Sequence, residues 1–170
     1  SICESNIKID DLVNFAEKQK LPAMALTDYK LLSGILEFSI KCKNKGIQPI
    51  IGLDVDYISK LKHKSRLTFL SKNDIGFKNL NILSTKINTE NEFQLSLNNI
   101  NNFSEGNILI LGGLFSYFQD LNINTNNLKI ILDEITTLKN LFKNDIFFEF
   151  DENLDNKLLN EISQKSIINS

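Results

Sequence analysis

Apolar residues recur at two spacings along this chain, and the two spacings separate predicted helices from predicted strands. Helical spacing of three or four residues marks residues 9–16, 32–40, 76–87, 114–121, 127–143 and 153–166. Short apolar runs, which are typical of buried strands, lie at residues 22–27, 49–53, 66–70, 107–111 and 145–150. Strands and helices therefore alternate almost throughout. This pattern predicts an α/β fold with a parallel sheet under helices, as an open sheet or a barrel.

Two helices can be predicted in detail. Ser33 can cap the first of them, and Gly46 is placed to end it in the left-handed conformation. The face of this helix that we expect to be buried carries Leu32, Ile35, Leu36 and Ile40. In the helix over 127–143, the apolar face carries Ile131, Ile135, Leu138 and Phe142. The polar segment 89–102 gives a weaker pattern, with room for a short helix near Leu97.

Composition narrows the class of protein. A chain of 170 residues suits one domain, and we treat residues 1–170 as a single domain. The net charge of -2 gives no general argument for binding nucleic acid. The basic run at 60–66 fits a solvated loop better than a phosphate contact. The two distant cysteines, Cys3 and Cys42, make no disulfide framework, and no membrane span is visible. We expect a cytoplasmic protein with free thiols.

Carboxylates give the best candidates for chemistry. Asp28 directly follows a predicted strand, and Asp54 and Asp56 close the next one. Carboxylates at strand ends can bind magnesium or manganese, whereas a lone Asp28 can equally cap a turn. Glu149 has two orientations open to it: into a barrel toward Asp54, or outward between helices.

Other motifs carry less information. His63 is the only histidine and lies in the basic run, so we expect a solvated side chain and no catalytic triad. Gly112 and Gly113 suit a tight turn after a strand better than a phosphate site. The chain has no GxGxxG, P-loop, nucleophile elbow or CxxC motif.

Four stretches together bring one family into view. Residues 21–55, LPAMALTDYKLLSGILEFSIKCKNKGIQPIIGLDV, resemble the PHP (polymerase and histidinol phosphatase) domain of bacterial DNA polymerase III alpha subunits. In that family a strand ends in TDH or TDF, a glycine precedes a helix, and GIKPIIG is followed by an acidic residue. Residues 66–80 and 105–113 are similar to the family's next two strand regions, and residues 145–150 resemble a later strand.

The resemblance implies a fold and a kind of site. The expected fold is a partial, distorted (β/α)7 barrel with a mostly parallel sheet, and we expect its first and last strands to lie outside this chain, which would be truncated at both ends. In metal-binding members, residues at the strand ends hold a cluster of metal ions that supports phosphoester hydrolysis or proofreading.

The family's metal ligands are mostly replaced here. The TDH histidine corresponds to Tyr29, and the acidic residue after the glycine to Asp54. A histidine that opens the third strand corresponds to Arg66, and a cysteine after the fourth strand to Leu114. Asp28 is retained. The comparison implies vestigial metal-site positions, with no catalytic residue and no metal in this domain.

Three functions remain open. The first is an inactive PHP domain of a replicative DNA polymerase, which supports the polymerase fold and docks the separate proofreading exonuclease subunit. Nucleotidyl transfer, with magnesium, would belong to a domain outside this chain, and DNA would be met only through the holoenzyme. The second is a metal-dependent phosphoesterase similar to histidinol phosphatase. The third is a plain α/β binding module.

Overall fold

The computed structural model describes residues 7–112 and 125–149. These residues form one mixed sheet with helices packed against it. The elements in chain order are α1 (Ile9–Lys18), β1 (Ala23–Tyr29), α2 (Ile35–Asn44), β2 (Gln48–Ile58), β3 (Lys64–Ser71), α3 (Asp74–Thr89), β4 (Leu95–Ser96), a 3-10 helix (Ile100–Phe103), β5 (Asn107–Gly112), α4 (Thr125–Phe142) and β6 (Ile146–Glu149). The predicted helices over 114–121 and 153–166, and also Cys3, Gly113 and Leu114, lie outside the described residues.

Most predicted elements are confirmed, with ends moved by a few residues. All four residues predicted for the apolar face of α4 are buried: Ile131, Ile135, Leu138 and Phe142. Gly46 has a φ of +70° just after α2, as its predicted role requires. For the polar segment 89–102, the sequence allowed a short helix near Leu97. The structure instead has the two-residue β4 and the 3-10 helix in this region.

The sheet has the order β1-β2-β3-β5-β6, with β4 pairing beside β2. The β1–β2, β2–β4 and β5–β6 pairs are parallel. β3, however, runs antiparallel to both of its neighbours. The reason is the connection between β2 and β3, which is only residues 59–63, whereas a parallel pair needs a crossover of about a dozen residues or more.

The buried face of α2 differs from the prediction. Phe38 and Cys42 are fully buried, whereas Leu36 is 71% exposed and Ile40 is 51% exposed. Phe38 and Cys42 pack with α1 residues in one of the two core clusters. The predicted cap is also wrong, because Gly34 takes the N-cap position and no side chain caps the helix.

The helices cover one face of the sheet. Residues 53, 55 and 57 of β2 alternate with the partly buried residues 54, 56 and 58 and belong to the larger core cluster, together with side chains of α3 and α4. Residues 24, 26 and 51 pack toward α1 and α2. Since side chains alternate between the faces of a strand, these sets lie on the same face. The opposite face is covered by none of the described helices, as expected for the inner surface of a partial barrel.

A buried carboxylate fixes α4 to the β2–β3 connection. Glu134 on α4 is 2% exposed. Its Oε1 accepts a hydrogen bond of 2.5 Å from the Tyr57 hydroxyl, and both of its oxygens accept from the Lys60 backbone N–H at 3.2 Å. These bonds compensate the cost of burying the charge. The connection is therefore held to the helix layer at one end of the sheet.

Candidate functional site

The candidate site lies on the helix-free face, where β1 ends and β3 begins. The strand registers place Tyr29 beside Asp54, Asp54 beside Thr68, and Asp56 beside Arg66. Because residues paired across strands point to the same face, three strands bring these polar side chains together. The predicted positions Tyr29, Asp54 and Arg66 are thus neighbours in the structure.

Asp56 is the centre of this group. Its Oδ2 accepts a 2.7 Å hydrogen bond from the Tyr29 hydroxyl and lies 2.6 Å from Lys30 Nζ. Lys64 Nζ is 3.0 Å from the same oxygen. One carboxylate oxygen therefore joins the end of β1 to the start of β3.

Arg66 and Thr68 extend the group along β3. The Arg66 guanidinium lies over the Tyr29 ring, with Cζ 3.9 Å from the ring centroid, which is a cation–π contact. Thr68 Oγ1 donates a 2.6 Å hydrogen bond to Asp54 Oδ1. We call Tyr29, Lys30, Asp54, Asp56, Lys64, Arg66 and Thr68 the strand-end cluster.

The backbone holds Lys30 in place for this contact. Lys30 has a φ of +62°, in the left-handed region that side chains other than glycine rarely adopt. Its N–H donates to the Asp54 carbonyl at 2.8 Å, and its own carbonyl accepts hydrogen bonds of 2.8 Å from Ser84 and Asn88 of α3. These three bonds stabilise the unusual conformation and direct the ammonium group to Asp56.

The electrostatics of the cluster favour charged side chains on both partners. Burial opposes ionisation of Asp56, but hydrogen bonds from Lys30, Tyr29 and Lys64 outweigh it and lower the pKa of Asp56. Burial likewise works against the charge on Lys30, yet its bonds to Asp56 and Tyr29 raise the pKa of Lys30. Both groups are therefore ionised at neutral pH.

The other candidate residues do not join the cluster. Asp28 alternates with Tyr29 and faces α2, where its Oδ2 lies 3.7 Å from the place that a Gly34 Cβ would take. Glu149 is exposed on the helix-free face, but β3 and β5 lie between its strand and β2. Three strand spacings, about 14 Å, separate its strand from β2, so of the two orientations left open Glu149 takes the one away from the helices, without reaching Asp54. His63 is exposed, and Leu114 lies outside the described residues.

The donors present do not fit a catalytic metal cluster. The strand-end cluster contains three cations, Lys30, Lys64 and Arg66, but only two carboxylates, Asp54 and Asp56. Its net positive charge would repel a metal ion. The Tyr29 hydroxyl carries a proton that it donates to Asp56, and a neutral phenol is a poor ligand. Within residues 7–112 and 125–149, no group of three or more His, Cys, Asp or Glu side chains could hold a metal ion.

The sequence argument missed three members of the cluster, Lys30, Lys64 and Thr68. Lys30 was not singled out, because a lysine after a strand carries no signal of its own, and its role depends on contacts with α3. Lys64 was assigned to a solvated basic loop. The alternation of Lys64, Arg66 and Thr68 along β3 could have placed all three on one face.

Fold and site together define a class of protein: an α/β domain of partial-barrel form with a polar site at its strand ends. The chain belongs to the PHP domain family, whose model matches residues 1–153. It is 32% identical over 181 residues to DNA polymerase III subunit alpha of Chlamydia pneumoniae, covering 98% of this chain and 14% of the relative. It is 29% identical over 180 residues to the subunit of the same name from Borreliella burgdorferi, covering 95% of this chain and 15% of the relative. The chain thus spans about one seventh of the length of these relatives.

A solved structure shows the same fold at low identity. A protein from Bifidobacterium adolescentis, named as a metal-dependent phosphoesterase, superposes with a TM-score of 0.57 at 8% identity. The superposition covers 96% of this chain and 80% of the other. None of the described helices has the length and apolar character that a membrane crossing requires.

Proposed function

We propose that this chain is the PHP domain of a bacterial replicative DNA polymerase alpha subunit and that it acts there as a structural domain without catalysis of its own. The two relatives that cover nearly the whole chain, both named DNA polymerase III subunit alpha, support the first half of the proposal. Template-directed DNA synthesis, with its magnesium, would belong to a domain outside this chain, and the assembly would work in the cytoplasm.

The observation that carries the second half is the strand-end cluster. Lys30 and Lys64 both contact Asp56, and Arg66 lies over Tyr29. These contacts join β1, β2 and β3 through the protein's own cations. A metal-dependent phosphoesterase needs several ligands that converge on its ions, and the donors here count against that alternative.

Metal analysis of the full-length polypeptide tests the loss of the site. After dialysis against a chelator, elemental analysis should find no stoichiometric zinc, manganese or iron. The same preparation should release no phosphate from p-nitrophenyl phosphate. Two or more tightly bound ions per chain, together with phosphatase activity that depends on them, would contradict the proposal.

The structural role has its own test. In the full-length polymerase, Asp56→Asn should lower the temperature at which DNA synthesis is lost, while kcat at a permissive temperature stays unchanged. Asp10→Asn, at an exposed surface ion pair, is the matched control and should change neither quantity. A loss of kcat without a loss of thermal stability would favour direct participation in synthesis.

Docking of the proofreading exonuclease subunit is the second part of the proposed role and rests on the family resemblance. A pull-down of the organism's exonuclease subunit with the full-length alpha subunit, and with a variant lacking residues 1–170, tests it. We expect capture by the full-length protein and a clear loss in the deletion variant. Equal capture by both would place the docking site elsewhere.

A further inference from the structure

A groove of 430 Å³ lies between α2 and α3, on the face of the sheet that carries the helices. The strands contribute Pro49 and Ile51 from the start of β2 and Ser71 from the end of β3. Leu36 lines the groove from α2, and Phe77 lines it from α3. The groove is therefore at the opposite end of β2 from the strand-end cluster, and on the other face of the sheet.

Large apolar side chains are exposed along the groove. Leu36 is 71% exposed and Phe77 is 37% exposed. Ile40, one turn after Leu36 on α2, is 51% exposed and continues the apolar row. α1 does not cover this row, because α1 packs on the other row, Phe38 and Cys42. A contiguous exposed apolar surface marks an interaction site, whereas single exposed apolar side chains do not.

Few charges line the groove. Lys72 and Asp74 are the two charged residues among those that line it. Lys72 Nζ lies 2.7 Å from both carboxylate oxygens of Asp145. The core of a permanent interface is apolar and poor in charged residues, whereas a transient interface is about as polar as the rest of the surface. The lining therefore fits a permanent contact better than a partner that binds and leaves.

We propose that this groove is permanently covered by an apolar segment of the same polypeptide from outside residues 1–170. The inference rests on the proposed function, since a structural domain of the polymerase subunit has to pack against the rest of that subunit. This chain corresponds to 14% and 15% of the length of its two polymerase relatives, so about six-sevenths of such a polypeptide is available to supply the segment. Apolar side chains of the segment would enter between Leu36 and Phe77 and pack on Pro49 and Ile51.

Hydroxyl-radical footprinting of the full-length subunit, purified without the exonuclease, tests whether the groove is covered. Oxidation rates are divided by those of the urea-unfolded protein. For the domain alone, Phe77, 37% exposed, should react at about two-thirds of the rate of Phe15 on α1, which is 55% exposed. We expect Phe77 to react about tenfold or more slowly than Phe15, because a side chain at the centre of a packed interface loses its contact with water. This protection should not change when the protein is diluted.

A charged substitution at the groove tests the contact itself. Leu36→Arg places a cation in the apolar interface, so it should raise the oxidation rate of Phe77 to the value that its exposure predicts. Leu36 is already exposed on the domain, so the domain's own fold should tolerate the change. Ile82→Arg makes the same kind of change at a 41% exposed position of α3, outside the groove, and should leave the oxidation of Phe77 unchanged.

Photo-cross-linking identifies what covers the groove. With p-benzoylphenylalanine in place of Leu36, we expect a cross-link within one polypeptide, to a peptide from outside residues 1–170. A cross-link to a second copy, to a peptide within residues 1–170, or to the exonuclease subunit only when that subunit is added would overturn the proposal. So would oxidation of Phe77 at the rate its exposure predicts, or equal effects of Leu36→Arg and Ile82→Arg.

These outcomes are separate from those that test the proposed function. The metal analysis and the Asp56→Asn variant concern the strand-end cluster, at the other end of β2. An uncovered groove would therefore leave those results standing, whereas bound metal ions with phosphatase activity would contradict the proposed function whatever covers the groove.

Discussion

Asp56 shows how one side chain can join three strands. It accepts from Tyr29 and Lys30 at the end of β1 and from Lys64 at the start of β3. Since the carboxylate is one-fifth exposed, its contacts are only partly screened by water, unlike those of surface ion pairs. Its removal would leave two lysines close together without their shared partner.

We predict that Asp56→Asn lowers the free energy of unfolding by about 1–3 kcal/mol at neutral pH, because a hydrogen-bonded, largely buried charge is lost. The pKa of Asp56 is lowered in the folded state, so its contribution is present above the unfolded-state pKa of about 3.9 and is lost as the pH falls through the folded-state value. Urea unfolding between pH 7 and pH 3 measures this effect. The gap between the two proteins should close in acid, and a gap independent of pH would contradict the assignment.

Gly76 is required by a close approach of two backbones. A Cβ at Gly76 would lie 1.9 Å from the Gly106 carbonyl oxygen, and Gly106 itself has a φ of +75°. The Gly76 N–H also donates a 3.0 Å hydrogen bond to Asn73 Oδ1, which caps α3. The start of α3 and the turn before β5 therefore pack without space for a methyl group.

Gly76→Ala should accordingly destabilise the protein by about 2–4 kcal/mol through overpacking. Gly46→Ala is the matched control, because Gly46 has a positive φ but nothing within 4 Å of its Cβ position. We expect this control to cost about 1–2 kcal/mol, the penalty of the left-handed conformation alone. Thermal unfolding of both variants measures the difference, and equal losses would contradict the packing argument.

Helix α2 carries two apolar rows, and only packing decides between them. Leu36 and Ile40 form one row, and Phe38 and Cys42 form the other, each with a spacing of four residues. The structure buries the second row against α1. Burial raises the pKa of the Cys42 thiol, and Cys42 is free. This thiol therefore behaves as a small apolar side chain.

Two substitutions test which apolar row of α2 is buried. Phe38→Ala should lower the free energy of unfolding by about 3–5 kcal/mol, since it leaves a cavity between α1 and α2. Leu36→Ser, on the exposed row, should change it by less than about 0.5 kcal/mol. Chemical denaturation distinguishes the two variants. A larger effect for Leu36→Ser would mean that the other row is buried.

The whole domain combines two core clusters on one face of the sheet with a polar cluster at the strand ends of the other. β2 connects them, because its alternate residues enter the core while Asp54 and Asp56 face the cluster. The positive charges of the strand-end cluster are carried by side chains of the protein itself. The cluster's electrostatic cohesion therefore depends on pH and ionic strength.

The proposed structural role, in which cations of the chain itself hold the strand ends, predicts how the domain responds to metal removal. A chelator should shift the melting temperature by less than about 2 °C, and excess manganese or zinc should not raise it, because a ligand stabilises only the state that binds it. Differential scanning calorimetry at constant ionic strength measures both. A rise of several degrees with metal would show that the cluster accepts an ion.

Much of the fold was predictable from local pattern. The apolar face of the helix over 127–143 was predicted correctly because its apolar residues have one consistent phase, whereas the burial of Glu134 was not predicted. Asp28 and Tyr29 were predicted to follow the strand over 22–27 but are the last two residues of β1. Polar residues that follow an apolar run show no strand pattern by themselves. Pairing with β2 extends β1 through these residues.

The candidate site was partly predictable. The strand-end positions Tyr29, Asp54 and Arg66 came from a family resemblance, and the registers place them together. Asp28 and Glu149 were candidates that the structure separates from Asp54. The alternation of side chains puts Asp28 on the other face, and the strand order puts Glu149 far away.

The sequence by itself determined the order of the main helices and strands and the apolar residues that form the core face of α4. These features depend on composition and on spacing within one segment. Tertiary structure alone decided the antiparallel direction of β3, the buried row of α2 and the meeting of Lys30 and Lys64 at Asp56. Each of these depends on contacts between residues far apart in the chain, where packing and charge pairing between elements select one arrangement from several that the local sequence allows.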